Sequence, residues 1–231
     1  MLSSILNGTD NLPGVVQIGK ACFELFSDGT LLRYSVASLF RVTVGFYLAA
    51  LLAIPLGIYL GRRKRVGQWV NPIIQFLRPV SPLAWIPFAM IWFGIGDRPA
   101  LFIIFMASFF PILLTTISAA AMIPNMYFQV AANLQFKMWE NLCYVILPAT
   151  MPSIVLALRV ALGIAWMVVV AAEMIAVKSG LGFLIVDARN ALRIDYVIVA
   201  IMIIGGIGLL LDHTMTQLER IGSVRWRFEQ N

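Results

Sequence analysis

Residues 129–148, QVAANLQFKMWENLCYVILP, form the one long amphipathic segment between two very apolar stretches of the chain. Mostly apolar side chains recur here at spacings of three and four, which predicts that they share one face of a helix. We expect the helix to end at Leu147-Pro148, because a proline ring removes an amide donor and crowds the preceding turn. A short water-side helix displaying a methionine and a tryptophan between membrane spans indicates a docking surface for another protein. The predicted face consists of Phe128, Ala131, Ala132, Gln135, Met138, Trp139, Leu142 and Cys143.

The composition of the chain is that of a membrane protein. Of the 231 residues, 61% are hydrophobic and 12% are charged, whereas a soluble domain carries about 25% charged residues. The composition therefore predicts an all-α integral membrane protein. The formal net charge of +6 does not indicate nucleic-acid binding, because the basic residues cluster beside apolar spans. Cys22 and Cys143 lie far apart without ligand spacing, so we expect neither a disulfide nor a metal site.

Five apolar stretches predict five transmembrane helices, since about 20 apolar residues cross the hydrocarbon core. The run Arg62-Arg63-Lys64-Arg65 follows the first stretch and marks the cytoplasmic side of the membrane. A patch for nucleic acid or lipid headgroups is the competing interpretation of this run. We therefore expect the N-terminus outside and the C-terminus in the cytoplasm. The predicted spans are residues 36–60, 68–96, 99–123, 152–177 and 196–211.

The segments that flank the spans have their own patterns. Residues 13–33 predict a short amphipathic helix on a membrane surface that ends at Asp28-Gly29, with a half-ordered arm as the alternative. The polar start of the chain predicts no cleavable signal peptide. We expect three parts: an extracytoplasmic arm (1–35), a transmembrane domain (36–213) and a cytoplasmic basic tail (214–231) that holds Arg220, Arg225 and Arg227.

The second predicted span is interrupted by Arg78-Pro79-Val80-Ser81-Pro82. Two prolines this close cannot both lie in an unbroken helix. The carbonyl groups freed by the break need partners in protein or water rather than in lipid. Ser81, Pro82 and Trp85 are therefore candidates to line a polar pathway. The alternative is a proline kink packed against a neighbouring helix.

Two charged side chains fall within one predicted span. Arg159 and Glu173 are about four helical turns, or about 21 Å, apart, so they cannot pair with each other. Arg159 is expected to reach the inner headgroups. For Glu173, near the outer end, two roles stay open: a pathway or gate residue, and a structural hydrogen-bonding residue. His213 is interpreted as an interfacial residue.

Several catalytic motifs are missing from the sequence. It holds no GxxxxGK[ST] phosphate loop, no HExxH, no CxxC, no GxSxG and no TVGYG-like filter. We expect a non-catalytic conduit or scaffold whose energy is supplied by another protein.

The segment QVAANLQFKMWENLCYVILPATMP resembles the EAA loop of ABC importer permeases, the coupling element that sits in a cleft of the ATPase subunit. Ala131 and Leu147-Pro148 match that pattern, whereas Gln129, Val130 and Gln135 stand where Glu, Ala and Gly are expected. Three further stretches resemble the nitrate/sulfonate/taurine/bicarbonate branch of these permeases. They are RPVSPLAWIP (78–87), WFGIGD (92–97), and Leu158-Arg159 through AAEM (171–174) with SGLG (179–182).

The resemblance implies a type I importer permease with five transmembrane helices and one cytoplasmic coupling helix at about residues 126–147. It implies a second permease copy, two cytoplasmic ATPase subunits that hold ATP and Mg, and an extracytoplasmic solute-binding protein. This chain itself would hold no cofactor and would import a small anionic solute by alternating access across the bacterial inner membrane. The residues expected to couple to the ATPases are Gln129, Ala131, Gln135, Lys137, Met138, Trp139, Glu140 and Pro148, and those expected to line the pathway are Ser81, Pro82, Trp85, Trp166 and Glu173.

Two rival interpretations stay open. One is a secondary transporter or channel-like protein without ATPase partners, which would need ionisable residues near the middle of the membrane. The other is a membrane scaffold without a transport role.

Overall fold

The computed structural model describes residues 13–219, except for the side chains of Lys64, Leu218 and Glu219. Within that range the chain is helical and contains no strand. The predicted basic tail with Arg220, Arg225 and Arg227 lies outside the described residues. The α-helices are α1 (Val15–Ser27), α2 (Thr30–Arg62), α3 (Lys64–Leu77), α4 (Ile86–Phe93), α5 (Asp97–Ala121), α6 (Asn125–Asn133), α7 (Met138–Asn141), α8 (Leu147–Ala176), α9 (Leu181–Asn190) and α10 (Ile194–Glu219).

Four apolar helices of residues 13–219 are long enough to cross a membrane: Thr30–Arg62, Asp97–Ala121, Met138–Ala176 and Ile194–Gln217. A fifth candidate is a broken pair, Arg65–Leu77 and Pro82–Phe93, which passes the length and hydropathy criteria only when taken together. Residues 13–219 therefore hold four or five apolar spans, and the predicted five is reached when the broken pair counts as one span. The interruption falls where the two prolines predict it, because α3 ends at Leu77 and a 3-10 turn begins at Pro82.

The predicted amphipathic helix near the N-terminus is α1, which ends where Asp28-Gly29 predicts. Gly29 has a positive φ of 69°, a conformation that glycine adopts without steric cost. The first span is longer than expected, since α2 already begins at Thr30. The last span also continues beyond the predicted end, through Asp212 and His213 to Glu219.

The chain forms two compact units. The first unit holds the described residues through Gly45, together with Pro82–Ile104 and Ala165–Leu210. Its apolar core contains small side chains that permit close helix packing, as expected of helices in lipid. A Cβ atom added to Gly45 would lie 2.7 Å from a methyl carbon of Ile104. The core consists of Ile86, Ala89, Ala100, Ile103, Ala172, Ala176 and Val177.

The second unit holds Phe46–Ser81, Phe105–Ile164 and the residues from Leu211 onward. Here α2 and α5 approach closely at two glycines. A Cβ atom on Gly57 would lie 2.6 Å from Cβ of Thr116, and one on Gly61 would lie 2.6 Å from the carbonyl oxygen of Ile117. These positions therefore need glycine for the two helices to pack.

The prediction of one helix over residues 126–147 is wrong. Helix α6 ends at Asn133, and the backbone reverses at Gln135, whose φ is 54°. Helix α7 begins at Met138, with Lys137 in extended conformation before it. The predicted face from Phe128 to Cys143 is consequently divided between two helices that a turn separates.

The expectation that the second helix ends at Pro148 is also wrong. Helix α7 continues through a π turn, Leu142–Ile146, directly into α8. In the π turn the amide of Leu147 donates to the carbonyl oxygen of Leu142, five residues back. The wider π turn leaves room for the ring of Pro148, which is the second residue of α8.

Candidate functional site

A buried charged cluster lies in the first unit and is centred on Arg41 of α2. The side chain of Arg41 is 3% exposed and that of Glu173 in α8 is fully buried. Nη1 of Arg41 lies 2.6 Å from Oε1 of Glu173. Nε and Nη2 of Arg41 donate to Oδ1 of Asp97, at the start of α5, over 2.8 and 2.6 Å. Ser179 accepts the remaining donors through its carbonyl and hydroxyl oxygens.

All five N–H donors of the Arg41 guanidinium therefore have acceptors. This matters because a buried charge is costly unless it is paired and hydrogen-bonded. The cluster joins α2, α5, α8 and the loop that follows α8. Asp97 is the exposed member of the cluster, since its side chain is 59% exposed.

The Glu173 carboxylate also caps the start of α9. Its Oε2 accepts hydrogen bonds from the amide of Gly182 at 3.0 Å and from the hydroxyl of Ser38 at 2.9 Å. The Ser38 hydroxyl oxygen in turn accepts from the amide of Leu181 at 2.9 Å. A carboxylate at this place satisfies open amides and interacts favourably with the helix dipole.

The SGLG stretch at 179–182 is explained by this carboxylate. A Cβ atom on Gly180 would collide with the Glu173 carboxyl group, and one on Gly182 would collide with the carbonyl oxygen of Val170. Gly180 also has a φ of 105°, which side-chain-bearing residues rarely adopt. Both glycines therefore let the backbone close over Glu173.

The hydrogen bonds of Glu173 fit the structural role, which was one of the two alternatives. A role for Glu173 as a gate stays a prediction. Sequence reasoning missed Arg41 and Ser38, which lie just before the charge-free part of the first span. The signal was present, because a charged residue within an apolar helix usually has a buried partner. In the second unit, Arg159 pairs with Asp212 at 2.9 Å. Arg159 thus has a carboxylate partner, and its position at the inner headgroups stays a prediction.

The other predicted pathway residues lie in different surroundings. Ser81 is exposed, and Pro82 is half-buried. Trp85 packs against the apolar core of the first unit. Trp166 is 6% exposed, and its indole N–H donates to the carbonyl oxygen of Ile204 over 3.0 Å. Trp166 therefore fastens α8 to α10, and its role in a pathway stays a prediction.

The predicted docking surface lies in the second unit and is highly exposed. The side chains of Met138 and Trp139 are 84% and 77% exposed. We call residues 125–141 the docking segment. Glu140 has a local task, because its Oε2 accepts the backbone amide of Lys137 over 2.6 Å and so caps α7. Of the other predicted coupling residues, Ala131 is buried, whereas Gln129, Gln135 and Pro148 are exposed.

The docking segment lies beside the basic run that follows α2. The guanidinium of Arg62 stacks on the ring of Phe128, with 3.5 Å between the guanidinium carbon and the ring centroid. This cation–π contact connects the end of α2 to α6. The docking segment and the basic run are thus at the same end of the second unit.

The fold is similar to that of a chain of the MetNI methionine ABC transporter, solved in inward-facing conformations. The TM-score is 0.68 at 16% sequence identity, over 79% of this chain and 91% of that chain. The apolar helices and this similarity define the class of protein: an all-α, multi-pass membrane protein with the type I importer fold.

Comparison of sequences identifies the family. Residues 53–220 match the model of the binding-protein-dependent transport system inner membrane component, and the chain belongs to that family. Relatives include the bicarbonate transport system permease CmpB of Synechococcus elongatus, 38% identical over 84% of this chain and 70% of its own length. The taurine transport system permease TauC of Escherichia coli is 36% identical over 84% of this chain and 71% of its own length. The nitrate import permease NrtB of Synechocystis is 36% identical over 91% of this chain and 80% of its own length.

Proposed function

We propose that this chain is the membrane-spanning subunit of an ATP-binding-cassette importer. A solute-binding protein delivers a small anion, and two copies of the permease pass it across the membrane by alternating access. Two cytoplasmic ATPase subunits bind ATP and Mg and supply the energy, so the chain itself is not catalytic. The proposed solutes are nitrate, bicarbonate, a sulfonate or a taurine-like molecule, which is the chemistry in the names of the relatives.

The observation that carries the proposal is the exposure of Met138 and Trp139 in the first turn of the long apolar helix Met138–Ala176, directly after the turn at Gln135. Aromatic side chains that become buried dominate the binding energy of protein interfaces. Large apolar side chains that are exposed together in one turn at the end of a span are typical of an interaction surface. Trp139 is therefore the proposed anchor in an apolar notch of the ATPase, with Lys137 at the polar rim.

The contact between Arg62 and Phe128 supports a cytoplasmic position for this surface. Positively charged residues at the end of a span are retained on the cytoplasmic side. Since Arg62 belongs to the basic run and touches α6, the docking segment is on the same side. ATP-hydrolysing subunits are in the cytoplasm, so they can reach it. The N-terminus is then outside and the C-terminus inside.

Co-purification tests the assembly. The chain, carrying an affinity tag, is produced in its native host and extracted in mild detergent. We expect the ATPase to be recovered in a one-to-one ratio with the chain, in a particle that contains two of each. Recovery of the chain without any ATPase would favour the secondary transporter or channel and overturn the proposal.

A further inference from the structure

The second unit contains an arginine-lined cavity that the proposed transport function does not use. Its volume is about 790 Å³. Arg62, Arg63 and Arg65 form one wall, and the chain between the end of α5 and the start of α6 forms the other, at residues 121–125. We call it the arginine cavity.

Among the described residues of their own unit, the arginines of this cavity have no counterion. The described carboxylates of the second unit are those of Glu140 and Asp212. Glu140 caps α7, and Asp212 pairs with Arg159. No ion pair among the described residues includes an arginine of the cavity. Three positive charges thus share one cavity, and no carboxylate within residues 13–217 pairs with them.

Two of these arginines are held in place by aromatic rings. Arg62 stacks on Phe128, as described above, and the guanidinium carbon of Arg63 lies 5.5 Å from the ring centroid of Tyr59. A stacked guanidinium keeps its N–H donors free in its own plane, where they can bind two oxygens of one anion. The stacking therefore orders the donors before an anion arrives.

The opposite wall adds to the positive potential. Helix α6 begins at Asn125, and its first turn contains no acidic residue and no side-chain cap. The open amides and the helix dipole favour an anion beside the three arginines. The cavity also lies at the end of the long apolar helix α2, and lipid phosphates flank the hydrocarbon core that such a helix crosses.

We propose that the arginine cavity binds a phosphate group, with the headgroup of an anionic lipid as its source. Basic pockets at the cytoplasmic ends of spans suit such headgroups. Because Phe128 is part of the docking segment and stacks on Arg62, a bound headgroup steadies the segment against the end of α2. Inorganic phosphate offers the same oxygen geometry, so the experiment has to separate the two sources.

The test measures the lipids retained by the purified permease complex in native mass spectrometry, with phosphatidylglycerol or phosphatidylcholine added. We expect the wild-type complex to retain phosphatidylglycerol in preference to phosphatidylcholine. The amount retained should saturate at one lipid molecule per copy of the chain. Arg63→Gln/Arg65→Gln should lower this retention about a hundredfold, since two charged hydrogen bonds are lost and each is worth about tenfold. Arg62 is kept, because its contact with Phe128 holds α6.

Two controls separate a built site from general attraction of charge. Arg78→Gln removes one exposed arginine of the same unit that does not line the cavity, and it should leave retention unchanged. Arg63→Lys/Arg65→Lys keeps the charge but loses the planar fork, and it should give intermediate retention. Displacement of the lipid by added inorganic phosphate would support the site with free phosphate as a second source.

Two results would overturn the proposal. One is equal loss of phosphatidylglycerol in Arg78→Gln and in the double glutamine variant, because the arginines would then attract lipid without forming a site. The other is unchanged lipid retention together with loss of the ATPase subunits in the double variant, because the cavity would then be a protein contact.

Discussion

Arg41 and Glu173 form an ion pair with 2.6 Å between Nη1 and Oε1, and both side chains are almost completely removed from solvent. They are 132 residues apart in the sequence. The pair joins α2 to α8, and the second carboxylate oxygen of Glu173 holds the amide of Gly182 at the start of α9. One arginine thus organises the part of the first unit that follows α8.

Replacing Arg41 should be severely destabilising. Arg41→Met leaves the buried carboxylate of Glu173 without a cation, which should cost about 3–5 kcal/mol of unfolding free energy. Glu173→Gln should cost less, since Arg41 keeps Asp97 and Ser179, and Asp97→Asn should cost least because Asp97 is largely exposed. Unfolding of the detergent-solubilised protein measures this order.

The double variant Arg41→Met/Glu173→Met is the control for that ion pair. It removes both charges, so it should be more stable than Arg41→Met alone. The single variant Glu173→Met completes the cycle: a double variant whose loss equals the sum of the losses in Arg41→Met and Glu173→Met would show that the two side chains are not energetically coupled.

Because the backbone closes over Glu173, alanine substitutions at two glycines of this unit and its neighbour should differ strongly in their effect on stability. Gly180→Ala places a methyl group against the carboxylate at a φ of 105°, and it should lower stability by at least about 2 kcal/mol. Gly163→Ala is the matched control, because no atom lies within 4 Å of its added Cβ and it is within α8. It should be neutral or stabilising by up to about 1 kcal/mol. Similar melting temperatures for the two variants would contradict the close approach of the backbone at Gly180 to the Glu173 carboxylate.

The turn in the docking segment predicts that a glycine is preferred at position 135. Gln135 has a φ of 54°, which costs a residue with a side chain about 1–2 kcal/mol. Gln135→Gly should therefore raise the melting temperature, whereas Gln129→Gly, within α6, should lower it. Loss of stability in Gln135→Gly would mean that the left-handed turn is absent.

Periodicity and turn chemistry were sufficient to place most of the helices. Long apolar runs predict the spans, Asp28-Gly29 predicts the end of α1, and the prolines of 78–82 predict the broken pair. In the docking segment the same rules failed. A glutamine at a left-handed position gives no turn signal, and a π turn that accommodates Pro148 is not visible in the spacing of apolar residues.

The partners of Glu173 in the charged cluster could not be predicted from a single sequence, for another reason. Glu173 and the SGLG stretch could be singled out as unusual, and a structural role for Glu173 was one of the two alternatives. The partners Arg41 and Ser38 are more than a hundred residues away. Their identity depends on which helices pack together, and hydrophobic periodicity does not contain that information.

The side of the membrane on which the docking segment lies can be tested directly. In a chain whose Cys22 and Cys143 are replaced by serine, Met138→Cys and Phe23→Cys each provide one highly exposed thiol. In right-side-out vesicles, an impermeant maleimide should label Phe23→Cys at once and Met138→Cys only after the membrane is opened. The reverse pattern would place the docking segment outside.

The most direct measurement of the central claim compares two exposed tryptophans in vesicles that hold the complete transporter and ATP. Trp139 is in the docking segment, and Trp69, 83% exposed on α3, is the matched control. Uptake of nitrate, bicarbonate and taurine is measured in parallel with ATP hydrolysis. For Trp139→Ala we expect uptake per ATP hydrolysed to fall about tenfold or more, as for loss of an interface anchor, while Trp69→Ala retains the wild-type ratio. An unchanged ratio in Trp139→Ala, with the complex fully assembled, would contradict the claim that this segment transmits the work of the ATPase.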